Sequence, residues 1–529
     1  MPERKPFWGN RCVLIALMII FMLTAASASA KPEILTYSWP GNVGPLNPHL
    51  YSPNQMFAQA MVYEPLVRYM GKGKVAPWLA ESWDISSDQL TYTFHLRKNV
   101  VFSDGTPFDA RAVKLNFDAI LANAERHAWL GLISLIQGIQ VVDDYTIAVV
   151  LKEPYYAILQ DLTLVRPFRF LSPKAFPAGG NTAKGLTAAI GTGPWKLVES
   201  KLGEHDFFER NEKYWGRQPL LQGIDVKVIS DPNTRAVALE TGEIDLIYGD
   251  DQISPDLFQR FRGNPAFTSG RSAPLATRAV AVNSNRGATK EIEVRQAILH
   301  AVNKDAIIKG IFWETEEKAD TLLHPDNPYC DLALPPYSYN PQKANAILDR
   351  AGWKRPTNSQ YRSKNGQRLI VEFLYVGNHS IEKSMAEVIQ SDLLKIGIQV
   401  QLKGLEEDMF INEQKTGGFH LTFNNTWGPP YEPHAYLGSM RKPSHADYQA
   451  QAGLTMKSDI DDAISKVLKS VDEERRIELY RYILNTLHDQ AIYLPISYAC
   501  GVFIHGSGLK NVTYGTTKNE IPFETISKP

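Results

Sequence analysis

The side chains best suited to hold a small charged ligand fall in three short stretches. Arg126-His127-Ala128-Trp129 is the first and Arg166-Pro167-Phe168-Arg169-Phe170 the second. The third is Trp427-Gly428-Pro429-Pro430-Tyr431-Glu432-Pro433-His434, with His445 eleven residues further on. Tyr51 and Met56 stand in or beside a Pro- and Asn-rich stretch, Pro45 to Gln55. Arginine beside aromatic rings suits a carboxylate-bearing ligand, because the guanidinium fork takes a carboxylate through two parallel hydrogen bonds. By residue type alone the same pattern also fits surface arginines over core aromatics. Of the twelve histidines none are spaced i, i+4, and His434 and His445 form the closest pair. A single imidazole holds a divalent metal poorly, so a metal here needs further donors from the protein or from a small chelator. By residue type alone either histidine fits an ordinary surface or satisfied side chain better than a ligand.

Signatures of covalent or cofactor chemistry are missing. The chain has no GxSxG elbow, no HExxH and no P-loop, and Gly191-Thr192-Gly193 is followed by Pro-Trp, which does not open a phosphate-binding helix. Nothing argues for an enzyme. Lys+Arg number 56 against 57 Asp+Glu, so no basic excess is available to hold a phosphate backbone and nucleic acid is not expected as a partner. There is no CxxC pair for a cysteine-rich zinc site.

The elements that must position these residues begin behind an expected leader. Arg4, Lys5 and Arg11 precede an apolar run from Cys12, and Ala28-Ser29-Ala30 reads as a small-x-small cleavage site. The spacing predicts a signal peptide over 1–30 and a mature chain exported from the cytoplasm. Cys330 and Cys500 then remain, and in an oxidising compartment either one disulfide or two free buried thiols fits. With 529 residues the chain makes two to four domains or one large two-lobed body.

Alternation at Leu90-Tyr92-Phe94-Leu96 predicts a strand, and residues 139–151 predict two more, joined at Asp143-Asp144. Helical spacing runs from Arg111 to Ala122, from Val294 to Phe312 with an interruption near Asn303, and from Ser384 to Ile396. Gly397 stands where a left-handed C-cap belongs, and Ile398, Val400 and Leu402 alternate after it. Arg475 to Leu487 reads as a helix and Ile492 to Ile504 as one apolar, strand-like run. The sum is a mixed α/β chain in two lobes, an arrangement whose cleft commonly binds ligand.

Several longer motifs resemble a known family. Phe102-Ser103-Asp104-Gly105-Thr106-Pro107-Phe108 is similar to a signature of the large peptide- and nickel-type solute-binding proteins of ABC importers. Gly191 to Trp195, Asn211 to Gly216, Gly242 to Leu246, Tyr339-Asn340-Pro341 and Tyr493 to Ile496 follow in that family's order. Within it, Asn42 to Ala58, Arg126 to Leu130, Arg166 to Phe170 and Thr426 to Ala446 resemble the nickel-type branch.

The resemblance implies a two-lobed periplasmic clamshell of mixed sheets, with residues 31–275 and 499–529 in one lobe and 276–498 in the other. It implies capture of nickel as a complex with a small carboxylate-bearing chelator, and delivery by a monomeric receptor to an inner-membrane ABC permease. No catalytic cofactor is implied. His445 falls on the metal ligand, Arg126 and Arg166 on the carboxylate partners, and Tyr51, Met56, Trp129, Trp427 and Tyr431 on the lining; His434 becomes the bystander. A His445 ligand should lose metal as the ring protonates in mild acid. The alternative within the fold is a di- or oligopeptide receptor. Peptide-binding relatives place an Asp three residues before an Asp-Pro or Glu-Pro step, and here Pro429 stands at that distance before Glu432-Pro433.

Overall fold

Helix ends fall where caps and glycines dictate. In the helix Ser380–Lys395, Met385, Ile389 and Leu393 are buried on one face. Gly397 follows at φ +86°. Its N–H reaches the Leu394 carbonyl at 2.9 Å and the Ile398 N–H reaches the Leu393 carbonyl at 3.0 Å, the two bonds of a Schellman motif. The chain turns directly into the strand Gln399–Leu405, parallel to Ile370–Val376. The expected interruption at Asn303 separates helices Ile292–Ala301 and Lys304–Gly310, and the Asn303 side chain caps the second by accepting from the Ala306 N–H at 3.0 Å. The helix Ala110–Ala122 is capped by Asp109 in the same way.

The computed structural model describes residues 1–3, 33–50 and 55–528. Most of the expected leader, and Tyr51, therefore lie outside the described residues. Among the described residues no helix is long and apolar enough to cross a membrane.

The described strands build three larger sheets. A seven-stranded mixed sheet runs in the order Phe267–Arg271, Val502–Gly506, Leu246–Gly249, Ile34–Trp39, Gly223–Val228, His205–Arg210, Trp195–Lys201. A six-stranded mixed sheet runs Glu317–Lys318, Tyr493–Ala499, Ala276–Val282, Leu421–Phe423, Ile370–Val376, Gln399–Leu405. A four-stranded antiparallel sheet joins Ala80–Ile85, Thr91–Leu96, Thr146–Leu151 and Ile136–Asp143. The six-stranded sheet draws only on residues 276–499, and the seven-stranded sheet on residues before 272 and after 501. The four-stranded sheet shares one continuous apolar core with Tyr436, Leu437, Ile464, Tyr480 and Ile483.

One expected element divides. The apolar run Ile492 to Ile504 forms two strands in different sheets, broken at Cys500-Gly501. A Cβ on Gly501 would sit 1.8 Å from the Tyr514 hydroxyl oxygen, so only glycine fits this crossing. Hydropathy alone does not register the break, because both halves are buried. Cys330 and Cys500 are two free, buried thiols, and burial pushes the Cys500 thiol up to about 12.

Candidate functional site

Each of the three stretches is anchored by a buried neighbour of the residue it presents. After the helix Ala110–Ala122 the chain makes a 3₁₀ turn, Ala124–His127. His127 turns inward, wholly buried, and its Nε2 bonds the His49 carbonyl at 3.1 Å. That leaves Arg126 exposed and Trp129 half-buried on the other side of the turn. Burial holds the His127 ring down at about 4, with Arg166 and Arg126 also opposing its charge, and holds His49 down at about 3. Both rings are neutral struts.

The second stretch alternates. Phe168 and Phe170 are fully buried against Phe117, with ring centroids at 5.5 and 6.0 Å. Arg169 is buried and donates to the carbonyls of Tyr63, Leu164 and Thr163 and to Glu520. Arg166, half-buried, is the arginine left at the surface of a cavity. The third stretch is fixed by Gly428 and Glu432. Gly428 has φ +77°, and a Cβ there would sit 1.8 Å from the Leu275 carbonyl oxygen. Its N–H donates to Glu432 at 2.6 Å, and Asn327 donates to the other Glu432 oxygen at 2.7 Å.

These anchors bring the predicted residues together around a cavity of about 480 Å³. Met56, Arg126, Trp129, Arg166, Trp427, Tyr431 and His445 all line it. Trp129, Trp427 and Tyr431 form one aromatic cluster with ring centroids 5.8 to 6.1 Å apart. The Tyr431 hydroxyl points to the Met56 sulfur at 3.9 Å. His445 stands at the N-cap of the helix Ala446–Gln451, half-buried, 6.0 Å from the Trp427 ring. Burial lowers its pKa from the ordinary 6.5, with Lys442 and Lys415 adding to the effect and Asp447 opposing it. A neutral imidazole at neutral pH is what a metal requires.

His434, its rival on residue type, is buried at 2% exposure with Nε2 2.7 Å from Asp161. It is a satisfied core histidine. Sequence reasoning missed six lining residues: Glu125, Ala128, Lys442, Ser444, Lys518 and Asn519. Glu125, Lys442 and Ser444 adjoin residues already singled out; Lys518 and Asn519 arrive from the C-terminal tail with no local signal. The lining therefore carries four cations, Arg126, Arg166, Lys442 and Lys518, against one carboxylate, Glu125. Among the described residues no group of three or more His, Cys, Asp or Glu is placed to hold a metal ion. The cavity is thus chemically fitted to an anion with an apolar flank, with one imidazole to spare for a metal.

Comparisons with known proteins show the family. The family of bacterial extracellular solute-binding proteins, family 5, matches residues 74–448 through its middle region, and the chain belongs to it. The chain is 49% identical over 512 residues to the nickel-binding periplasmic protein of Escherichia coli (strain K12), covering 96% of this chain and 98% of that one. It matches the crystal structure of NikA from Brucella suis in complex with Fe(III)-EDTA at a TM-score of 0.92 and 52% identity, over 94% of this chain and 100% of that one. The dipeptide-binding protein of Escherichia coli is 26% identical over 519 residues, or 92% of each chain.

Proposed function

We propose that this chain is a periplasmic receptor that captures nickel as a complex with a small carboxylate-bearing chelator and hands it to an ABC importer. The observation that carries the reading is the cavity's donor set: one imidazole, His445, among four cations and three aromatic rings. Ni(II) accepts imidazole well and stands high in the divalent affinity order. His445 supplies one donor, and the chelator supplies the rest. The chelator's carboxylates meet Arg126 and Arg166, while Trp129, Trp427 and Tyr431 keep water from the ion pairs and so strengthen them. The similarity to a nickel-binding periplasmic protein and to a structure holding a metal–EDTA complex supports both the metal and the carboxylate chelator.

Capture couples to closure of two lobes, residues 31–275 with 499–529 and residues 276–498. The exclusive strand content of the two large sheets supports that division, with both crossing strands, Ala276–Val282 and Tyr493–Ala499, paired side by side. The same loop disfavours peptide capture. Pro429 offers no charge to a peptide amine, and the nearby Glu432 carboxylate is buried and already satisfied by Gly428 and Asn327.

Nickel K-edge absorption of protein loaded with Ni(II) and excess histidine tests the reading. An imidazole contribution that diminishes in His445→Ala is expected. A spectrum identical in the two proteins would remove His445 from the metal.

A further inference from the structure

A second cavity, of about 660 Å³, shares no lining residue with the first, although the loop 427–434 borders both. Its size falls within the range of small-molecule sites, roughly 300 to 1,000 Å³. Ile85, Val471 and Ile477 are large apolar side chains left 45%, 51% and 37% exposed, and all three line it. Opposite in chemistry, Arg476 lines it too. Its Nε donates to the Tyr329 hydroxyl at 3.0 Å and its Nη1 to the Ser470 carbonyl at 2.9 Å. Its guanidinium lies 4.9 Å from the Tyr156 ring centre. The side chain is thereby pinned, and Nη2 has no hydrogen-bond partner among the described residues.

We propose that this cavity is a second ligand site, specific for an apolar body bearing a single carboxylate. The carboxylate takes the open edge of Arg476, and the apolar body covers Ile85, Val471 and Ile477. Lys72 and Lys74, both exposed, also line it and bring its cations to three, Lys72 being paired with Asp326 at 3.2 Å. Of the two carboxylates there, Glu432 is already satisfied by Gly428 and Asn327, and Glu473 stands exposed at a helix start. A pre-positioned guanidinium loses little side-chain entropy on binding, which favours such a ligand over one held by lysines alone.

The test uses the mature protein and para-bromophenylacetate, with para-bromophenylethanol as its uncharged analogue. The bromine's anomalous signal in soaked crystals should lie in this cavity. In titration calorimetry the acid should bind saturably, about tenfold tighter than the alcohol, as expected for one charge-assisted contact. Arg476→Met and Val471→Glu should each weaken the acid about tenfold. Val471 is exposed, so that variant keeps its fold. Bromine found only in the cavity of Arg126 and Arg166, no saturable binding, or binding indifferent to both variants would overturn the proposal.

Discussion

The two arginines of the cavity proposed to hold the chelate should not be equivalent. Arg166 is half-buried behind the Phe168 and Phe170 anchor, whereas Arg126 is exposed at the tip of its turn. Two unit charges at about 4 Å interact by about 4 kcal/mol at an effective dielectric near 20 and by about 1 kcal/mol in bulk water. Part of the larger value is spent on desolvation, so a charge-assisted contact at Arg166 should contribute on the order of 2–3 kcal/mol. Arg126→Met, removing a solvent-screened contact, should cost about 1 kcal/mol, or roughly fivefold in Kd. Arg166→Met should cost roughly 30- to 150-fold. The assay is calorimetric titration of each metal-free variant with Ni(II) in excess free histidine, at low and at moderate salt. Added salt should narrow the Arg126 effect more than the Arg166 effect, because exposed charges are screened first. Equal losses from both variants, or an unchanged Kd in Arg166→Met, would refute the assignment of these side chains to the chelator's carboxylates.

Four further outcomes are expected. His445→Ala should weaken nickel at least about tenfold while leaving the thermal midpoint in place, since the side chain caps nothing. Because burial lowers its pKa from 6.5, nickel affinity should stay level through that pH and fall only in more acid solution, with less of a fall in His445→Ala; an acid-side fall identical in the two proteins counts against the ligand. Stability should drop in acid: His127, held at about 4 against an unfolded value of 6.5, leaves the unfolded chain binding the extra proton between those pH values. Stability is thus intact above about pH 6.5 and loses on the order of 3 kcal/mol by pH 4 from this ring, measured as the urea midpoint, with a shallower slope in His127→Gln. Gly428→Ala should displace Trp427 and Tyr431, since the new Cβ meets the Leu275 carbonyl at a positive φ, and should cost chelate affinity as well as at least about 1 kcal/mol of stability.

Local signals carried most of the fold. The four-residue spacing of Met385, Ile389 and Leu393, followed by Gly397, defined a helix and its end from the sequence, because one face packs and one glycine must turn left-handed. The break at Gly501 was hidden, since an apolar run reads alike whether it serves one sheet or two. The cavity was legible where lining residues sit beside their own anchors, as Arg126 beside His127 and Arg166 beside Phe168. The choice between His434 and His445 was not legible from residue type, because what removes His434 from consideration is Asp161, 273 residues away in the chain. Lys518 and Asn519 were invisible for the same reason: the C-terminal tail reaches the cavity only through tertiary packing.

Isothermal titration of the metal-free mature protein at pH 7.5 weighs chelate against peptide directly. The injections are Ni(II) alone, Ni(II) with excess free histidine, and a mixed dipeptide pool. A receptor with one imidazole and a carboxylate-binding cavity should bind one nickel per chain tightly when the chelator accompanies it, and weakly or not at all when nickel comes alone. Heat from the dipeptides, with none from nickel in either form, would contradict the nickel–chelate reading and assign the cavity to peptides.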